Sequence, residues 1–275
     1  MKKSILVIAL TLVVTGITMI AASVVTAQTS NEFAVPLTDP GKRGKLKASL
    51  NYGSITVKGT ARKDILVRYT VKADDDNRDA SKNGLKRIGG GSVDLEVVEN
   101  ENTVKVHSDS WNNKINLEIE IPSGMDLDIK TYNDGDLYIS NIQGNLDLKN
   151  YNGEITALNI SGSVIATTYN GGIKISFDKV TDGTPMSYST YNGDIDVTVP
   201  PGLKASFKMK TEQGDIYSDL DVDFKSGGPV QKADQKGAVY KVIVDDWKKG
   251  NVNGGGSEIT IKNYNGDIFL RKKAG

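Results

Sequence analysis

The sequence predicts an all-β protein that forms a β-solenoid with rungs of roughly 20 residues. Three observations favour this class: a short unit recurs along the chain, apolar and polar residues alternate strictly before each copy, and Asn-Gly follows the alternation. Alternation with a period of two residues is typical of a strand that buries one face. Asn-Gly supplies the positive φ angles that a tight turn needs.

The recurring unit has the consensus Tyr-Asn-Gly-Asp-Ile. Its tyrosines at positions 132, 151, 169 and 191 lie 19, 18 and 22 residues apart, a regularity that chance does not produce. A truncated copy starts at Asn51, and the copy at 211 is degenerate. The full series of units begins at Thr131, Asn150, Thr168, Thr190, Thr211 and Asn263.

Two arrangements of the strands fit this pattern. Asn-Gly between alternating segments is a strong hairpin signal, which would give a meander of antiparallel hairpins. Near-identical rungs fit a solenoid equally well, because equivalent residues then stack along one axis. Stacking explains why each rung resembles its neighbour, whereas a meander does not, so we prefer the solenoid.

The N-terminus indicates export. Lys2 and Lys3 precede an apolar run that reaches Val25, and small residues lead up to Ala27. We interpret residues 1–27 as a cleaved signal peptide, and the alternative is a retained membrane anchor. Threonine, glycine and serine dilute the run, which favours cleavage, and no later segment is apolar enough to span a membrane. We expect a periplasmic, cell-surface or extracellular location.

Four segments follow from these patterns. After the signal peptide, 28–45 is expected to be an N-terminal linker and 46–121 a β region continuous with the solenoid. The repeats occupy 122–273, with an insertion at 221–257.

Composition excludes several kinds of site. Lys+Arg is 34 and Asp+Glu is 34, so no single-sign charge points to nucleic acid. The chain has no cysteine, which excludes disulfides, thiolate metal sites and a lipoprotein anchor. We expect no cofactor, and the oligomeric state does not follow from the sequence.

Strand parity assigns the two sides of each turn. The residue before each tyrosine shares the parity of the apolar residues and is expected to point inward, forming a ladder hydrogen-bonded from rung to rung. This ladder comprises Thr131, Asn150, Thr168, Thr190, Thr211 and Asn263.

The tyrosines have the opposite parity and are expected to form an exposed column. The column either stabilises the turns by stacking or binds sugar rings or a partner protein. Glu212 is expected to end the run, because the aromatic residue is lost there. The candidate binding residues are Tyr132, Tyr151, Tyr169 and Tyr191.

An acidic residue follows the glycine of most units. Solvated turn acids are the simplest interpretation, and the alternative is that Asp194 and Asp215 are calcium ligands. His107 is the only histidine, and a lone surface histidine is more often solvated than catalytic. We therefore predict a non-enzymatic binding or structural module with no catalytic residues. The alternative is a polysaccharide hydrolase or lyase on a parallel β-helix.

The chain resembles a family of exported bacterial β-strand-repeat proteins of unknown function, known as putative adhesins. The resemblance covers about 32–273 and rests on Leu37-Thr38-Asp39-Pro40-Gly41, on two Pro-x-Gly elements at 122–124 and 200–202, and on the serial Tyr-Asn-Gly units. The family is also similar to the head domains of auto-transporter adhesins. The resemblance implies a right-handed β-helix-like solenoid, a surface or periplasmic location and no catalytic residues.

Overall fold

Alternating residues produce strands throughout the described chain. The structure is a computed structural model that describes residues 31–73, 81–82, 85–86, 94–224, 230–236, 239–245 and 247–274, and every regular element within them is a strand. The first twelve are β1 Asn31–Pro36, β2 Lys45–Tyr52, β3 Ile55–Thr60, β4 Asp64–Ala73, β5 Ser81–Lys82, β6 Leu85–Lys86, β7 Glu96–Asn100, β8 Thr103–Ser108, β9 Asn113–Pro122, β10 Asp126–Asn133, β11 Leu137–Ser140 and β12 Asn145–Lys149. The others are β13 Ile155–Thr167, β14 Ile173–Val180, β15 Met186–Asn192, β16 Ile195–Val199, β17 Ala205–Gln213, β18 Ile216–Ser218, β19 Asp223–Phe224, β20 Val230–Lys236, β21 Val239–Asp245, β22 Lys248–Val252, β23 Ser257–Asn265 and β24 Ile268–Lys272. The predicted all-β class is confirmed.

Equivalent strands of the repeats pair in parallel and in register. Leu127 is the partner of Leu146, and Leu146 is the partner of Val164. The strands on either side of one Asn-Gly turn therefore belong to different parallel ladders. This pairing favours stacking over the meander of hairpins.

The two ladders define two sheets. The leading sheet contains the strands that precede the turns, in the spatial order β8, β2, β10, β12, the second half of β13, β15, β23 and β17. The trailing sheet contains the strands that follow the turns, in the order β9, β3, β11, the first half of β13, β14, β16, β24 and β18. The Asn-Gly turns form the corner between the sheets.

Spatial order departs from sequence order at both ends of the stack. The rung of β23 and β24 lies between that of β15 and β16 and that of β17 and β18. At the other end, β2 and β3 lie between β8 and β9 on one side and β10 and β11 on the other. At each end of the stack, a rung that is distant in sequence therefore lies between two rungs that follow each other along the chain.

The inward residues of both sheets form a single core. Ile129 and Leu148 from the leading sheet and Ile155 and Ile195 from the trailing sheet are all 0% exposed. Burying each such side chain contributes about 1.5–3 kcal/mol. The core thus holds the two sheets together along the whole stack.

Antiparallel strands flank the parallel stack. β4 pairs with β9 and β1, β7 pairs with β8, and β22 pairs with β17 and β19.

Part of the segment expected as a linker, 28–45, is the strand β1, because its backbone pairs with β4. The 221–257 segment contains the antiparallel pair β20 and β21. Residues 1–27, expected as the signal peptide, lie outside the described residues. Among the residues that the structure describes, no helix is long and apolar enough to span a membrane.

Candidate functional site

The corner between the two sheets repeats the same backbone geometry from rung to rung. Gly153 and Gly171 both have a φ of 153°. A Cβ atom at Gly171 would lie 2.1 Å from the carbonyl oxygen of Gly153 in the neighbouring rung. Glycine is therefore required by both the backbone angle and the close approach of the rungs.

The inward residues at the corner donate hydrogen bonds from rung to rung. Thr190 Oγ1 donates to the Gly171 carbonyl at 2.8 Å, and Asn263 Nδ2 donates to the Gly193 carbonyl at 2.8 Å. The acceptor is thus a glycine backbone oxygen of the next rung, not another ladder side chain. Of the six residues, Thr211 is half-buried and the other five are buried. The remaining donors, each bonded to the corresponding glycine carbonyl, are Thr131 at 2.6 Å, Asn150 at 2.8 Å, Thr168 at 3.0 Å and Thr211 at 2.9 Å.

The tyrosines lie on the outside of the corner, where their rings form one continuous stack. The centroids of successive rings lie 4.8, 5.1, 4.8 and 4.4 Å apart, and the ring planes deviate from parallel by 5° to 8°. The exposed fraction of these residues is 39–47%. We call this stack the tyrosine column: Tyr132, Tyr151, Tyr169, Tyr191 and Tyr264.

The ends of the tyrosine column differ from the sequence prediction. Glu212 was expected to follow Tyr191, but Tyr264 stacks on Tyr191 instead, and Thr211 pairs with Asn263 one rung further on. The physical reason is the inserted rung of β23 and β24. At the opposite end Trp111 packs edge-on against Tyr132, with the centroids 5.4 Å apart.

Stacking determines which ring surfaces remain available. Each internal ring has both faces covered by its neighbours, so the column exposes ring edges and phenol hydroxyls. Desolvation, followed by the charge and hydrogen bond of the Tyr264 hydroxyl, raises the pKa of Tyr191. The Tyr191 hydroxyl therefore stays neutral at neutral pH.

A second exposed ladder lies beside the column and was missed from the sequence. Its side-chain amides donate from one rung to the next: Asn152 to Asn133 at 3.2 Å, Asn170 to Asn152 at 2.8 Å, and Asn192 to Asn170 at 2.8 Å. Amide ladders of this kind are typical of stacked identical strands. The recurrence of asparagine directly after each tyrosine was the signal for it.

The repeated acids bind backbone amides of neighbouring rungs. Asp194 Oδ1 accepts from the Asp267 amide at 2.9 Å, and Asp267 Oδ1 accepts from the Asp215 amide at 2.8 Å. Asp136 Oδ1 accepts from the Glu154 amide at 2.8 Å. The two calcium candidates thus lie on either side of Asp267. Across the described ranges no group of three or more His, Cys, Asp or Glu side chains could hold a metal ion.

Parallel pairing of β2 with β8 brings Ser49 to His107. Ser49 Oγ lies 3.4 Å from Nδ1 of His107, and Asp109 Oδ2 lies 3.2 Å from Nε2. In a hydrolytic triad the carboxylate is buried and fixes the imidazole. Here the Asp109 side chain is 71% exposed and that of His107 is 41% exposed, so water screens both. This geometry fits a surface polar cluster.

Comparison with known proteins identifies the family. No curated protein matches the chain. A putative cell adhesion protein from Clostridium sporogenes has a crystal structure that aligns with a TM-score of 0.48 and 10% identity, over 89% of this chain and 100% of that one. A putative adhesin from Bacteroides fragilis aligns with a TM-score of 0.38 and 11% identity, over 90% and 98% of the two chains. The sequence model described as Toastrack DUF4097 matches residues 89–271, more than half of this chain. The chain therefore belongs to the Toastrack DUF4097 family.

Proposed function

We propose that this protein is an exported, non-enzymatic, adhesin-like module of the cell envelope, and that the tyrosine column contacts a glycan or a protein partner. The observation that supports this proposal is the unbroken stack of five parallel rings on an exposed corner. Export rests on residues 1–27 acting as a signal peptide. The scaffold proposed here is a right-handed solenoid of roughly 20-residue rungs over 122–273, preceded by the β region at 46–121.

The tyrosine column is suited to contact a partner through its exposed ring edges and hydroxyls. The phenol hydroxyls repeat with the rungs, at the spacing of about 4.8 Å that separates neighbouring strands. Because mutual stacking holds the rings in place, little side-chain entropy is lost when a partner binds. Several weak contacts in register then add up to useful avidity. A partner with regularly spaced hydrogen-bonding groups, such as a glycan chain, matches this row.

The proposal is tested by replacing Tyr151 and Tyr169 together with serine and probing a glycan array. Binding should be abolished, while the circular dichroism spectrum stays β-rich. The matched control replaces Tyr138 and Tyr217, which are 43% and 50% exposed but lie outside the column, and should bind normally.

A phenylalanine pair at 151 and 169 separates binding from folding. Phenylalanine keeps the stacked rings and removes only the hydroxyls, so binding should fall with no loss of thermal stability. Glycan binding that survives the serine pair is not made by the column and would contradict the proposal. If the double serine variant unfolds, the double phenylalanine variant replaces it as the test, and unchanged glycan binding by that variant would contradict the proposal.

A further inference from the structure

The outer face of the leading sheet carries lysines that face one another across neighbouring strands. Like charges at directly opposed positions repel and destabilise a sheet. The core is made by the inward residues, so the fold does not require these lysines. The opposed pairs are Lys47 with Lys105, Lys130 with Lys149, Lys210 with Lys262, and Lys208 with Lys249.

Two of these pairs lie at the end of the stack formed by β17, β22 and β23, where a groove opens. Its volume is about 440 Å³, and Lys210 and Lys248 line it together with Ile216 and Phe224. Phe224 is 49% exposed. This volume is typical of small-molecule sites. The groove therefore combines ammonium groups with an accessible aromatic ring.

We propose that this groove binds acidic sugar units of an anionic polysaccharide. We call it the lysine groove: Lys210, Lys248, Ile216 and Phe224, with Lys262 beside Lys210 in the adjacent strand. The ammonium groups bind the carboxylates, and the Phe224 ring packs against the apolar face of a sugar ring. Charge and stacking together are what an acidic sugar requires.

Acidic residues at the groove select against more densely charged polymers. Asp215 lines the groove, and Glu212 pairs with Lys210 at 2.8 Å. A polyphosphate would bring a negative charge against these carboxylates with every unit. A sugar acid has one carboxylate and several hydroxyls per ring, and its hydroxyls can donate hydrogen bonds to Asp215 and Glu212. The charge pattern thus favours a polysaccharide.

This inference goes beyond the proposed function and does not depend on the tyrosine column. The probe is polygalacturonate, titrated into the purified protein at low ionic strength, with neutral dextran and polyphosphate as comparison polymers. Polygalacturonate should bind and raise the melting temperature, dextran should not bind, and polyphosphate should bind more weakly.

Variants locate the site. Replacing Lys210, Lys248 and Lys262 with glutamine should weaken polygalacturonate binding at least about tenfold, because three attractive charges are lost. The control removes the same charge from the trailing sheet with Lys58→Gln, Lys174→Gln and Lys179→Gln, and should change binding less than about twofold. Phe224→Ser tests stacking without changing the charge, and should also weaken binding.

Several results would overturn the inference. These are no binding of polygalacturonate, equal losses in the two triple variants, or polyphosphate binding at least as tight as polygalacturonate. If the groove triple variant unfolds, Phe224→Ser decides alone, and unchanged binding by that variant refutes the site. The Tyr151→Ser/Tyr169→Ser protein should still bind polygalacturonate. A loss there would assign this ligand to the tyrosine column instead.

Discussion

The outer faces of the two sheets handle charge in opposite ways. On the trailing face opposite charges stand next to each other in neighbouring strands, as in Lys58 with Glu120 and Lys174 with Asp196. Among the described residues, the exception is Lys72, which lies opposite Lys114. Lys114 in turn pairs with Asp134 at 2.8 Å. On the leading face lysine stands opposite lysine at several positions, and carboxylates of the same strands pair with some of these lysines, as in Lys149 with Asp147 at 2.9 Å and Lys210 with Glu212 at 2.8 Å. One repeated corner thus supports a face that pairs opposite charges across neighbouring strands and another that sets like charges opposite each other.

The largest expected effect tests whether both faces rest on one core. Ile195→Asp places an unpaired charge at a fully buried position of the trailing sheet. The free energy of unfolding should fall by about 3–5 kcal/mol, in a single urea transition followed by circular dichroism. Thr156→Asp, on the outer face of β13 two strands away in the same sheet, should change stability by less than about 0.5 kcal/mol. Equal losses would show that inside and outside are wrongly assigned.

The corner that joins the sheets should show a smaller effect. Thr190→Val removes the hydrogen bond to the Gly171 carbonyl while keeping the shape of the side chain. Stability should fall by about 1 kcal/mol. Thr190→Ser keeps the hydroxyl donor and should retain more of the stability. A valine variant as unstable as Ile195→Asp would contradict the role given to this hydrogen bond.

Paired charges of the trailing face should make stability depend on acid pH. Arg68 donates to Glu120 at 2.7 Å and holds the pKa of that carboxyl below its ordinary value of 4.5. The stabilisation is therefore complete above pH 4.5 and is lost as the pH falls through the lowered pKa of the folded state. Glu120→Gln should be less stable than the wild type at pH 7, and the difference should shrink in acid. A difference that is independent of pH would refute the ion pair as its cause.

The smallest effect should have the opposite sign on the leading face. Lys262→Gln removes one member of an opposed lysine pair, so unfolding should become harder by a few tenths of a kcal/mol at low ionic strength. The gain should vanish in 1 M salt, where charges are screened within about 3 Å. Lys174→Gln on the trailing face should give no such gain. A stability loss for Lys262→Gln would remove the contrast between the faces.

The corner was predictable because its residues recur. Tyr151 and Asn150 each have counterparts one rung away, so parity alone suggested an outside and an inside position for them. The order in which the strands pair was harder to predict from the sequence. The strands β15, β17 and β23 share one apolar pattern, and sequence order suggests β17 as the neighbour of β15. The contact of Ser49 with His107 depends on pairing across 58 residues. The contrast between the faces depends on register as well, which no single strand reveals.

The inserted rung also constrains how the molecule assembles. A chain synthesised from its N-terminus makes β17 and β18 well before β23 and β24, yet it is the later pair that connects them to β15 and β16. Until residues 257–272 arrive, the edges of β15, β16, β17 and β18 that pair with them stay open, and such edges recruit other chains. Folding therefore cannot proceed rung by rung behind the growing chain and finishes only after synthesis of these residues. Losing them would divide the stack in two places at once: the leading sheet between β15 and β17, and the trailing sheet between β16 and β18.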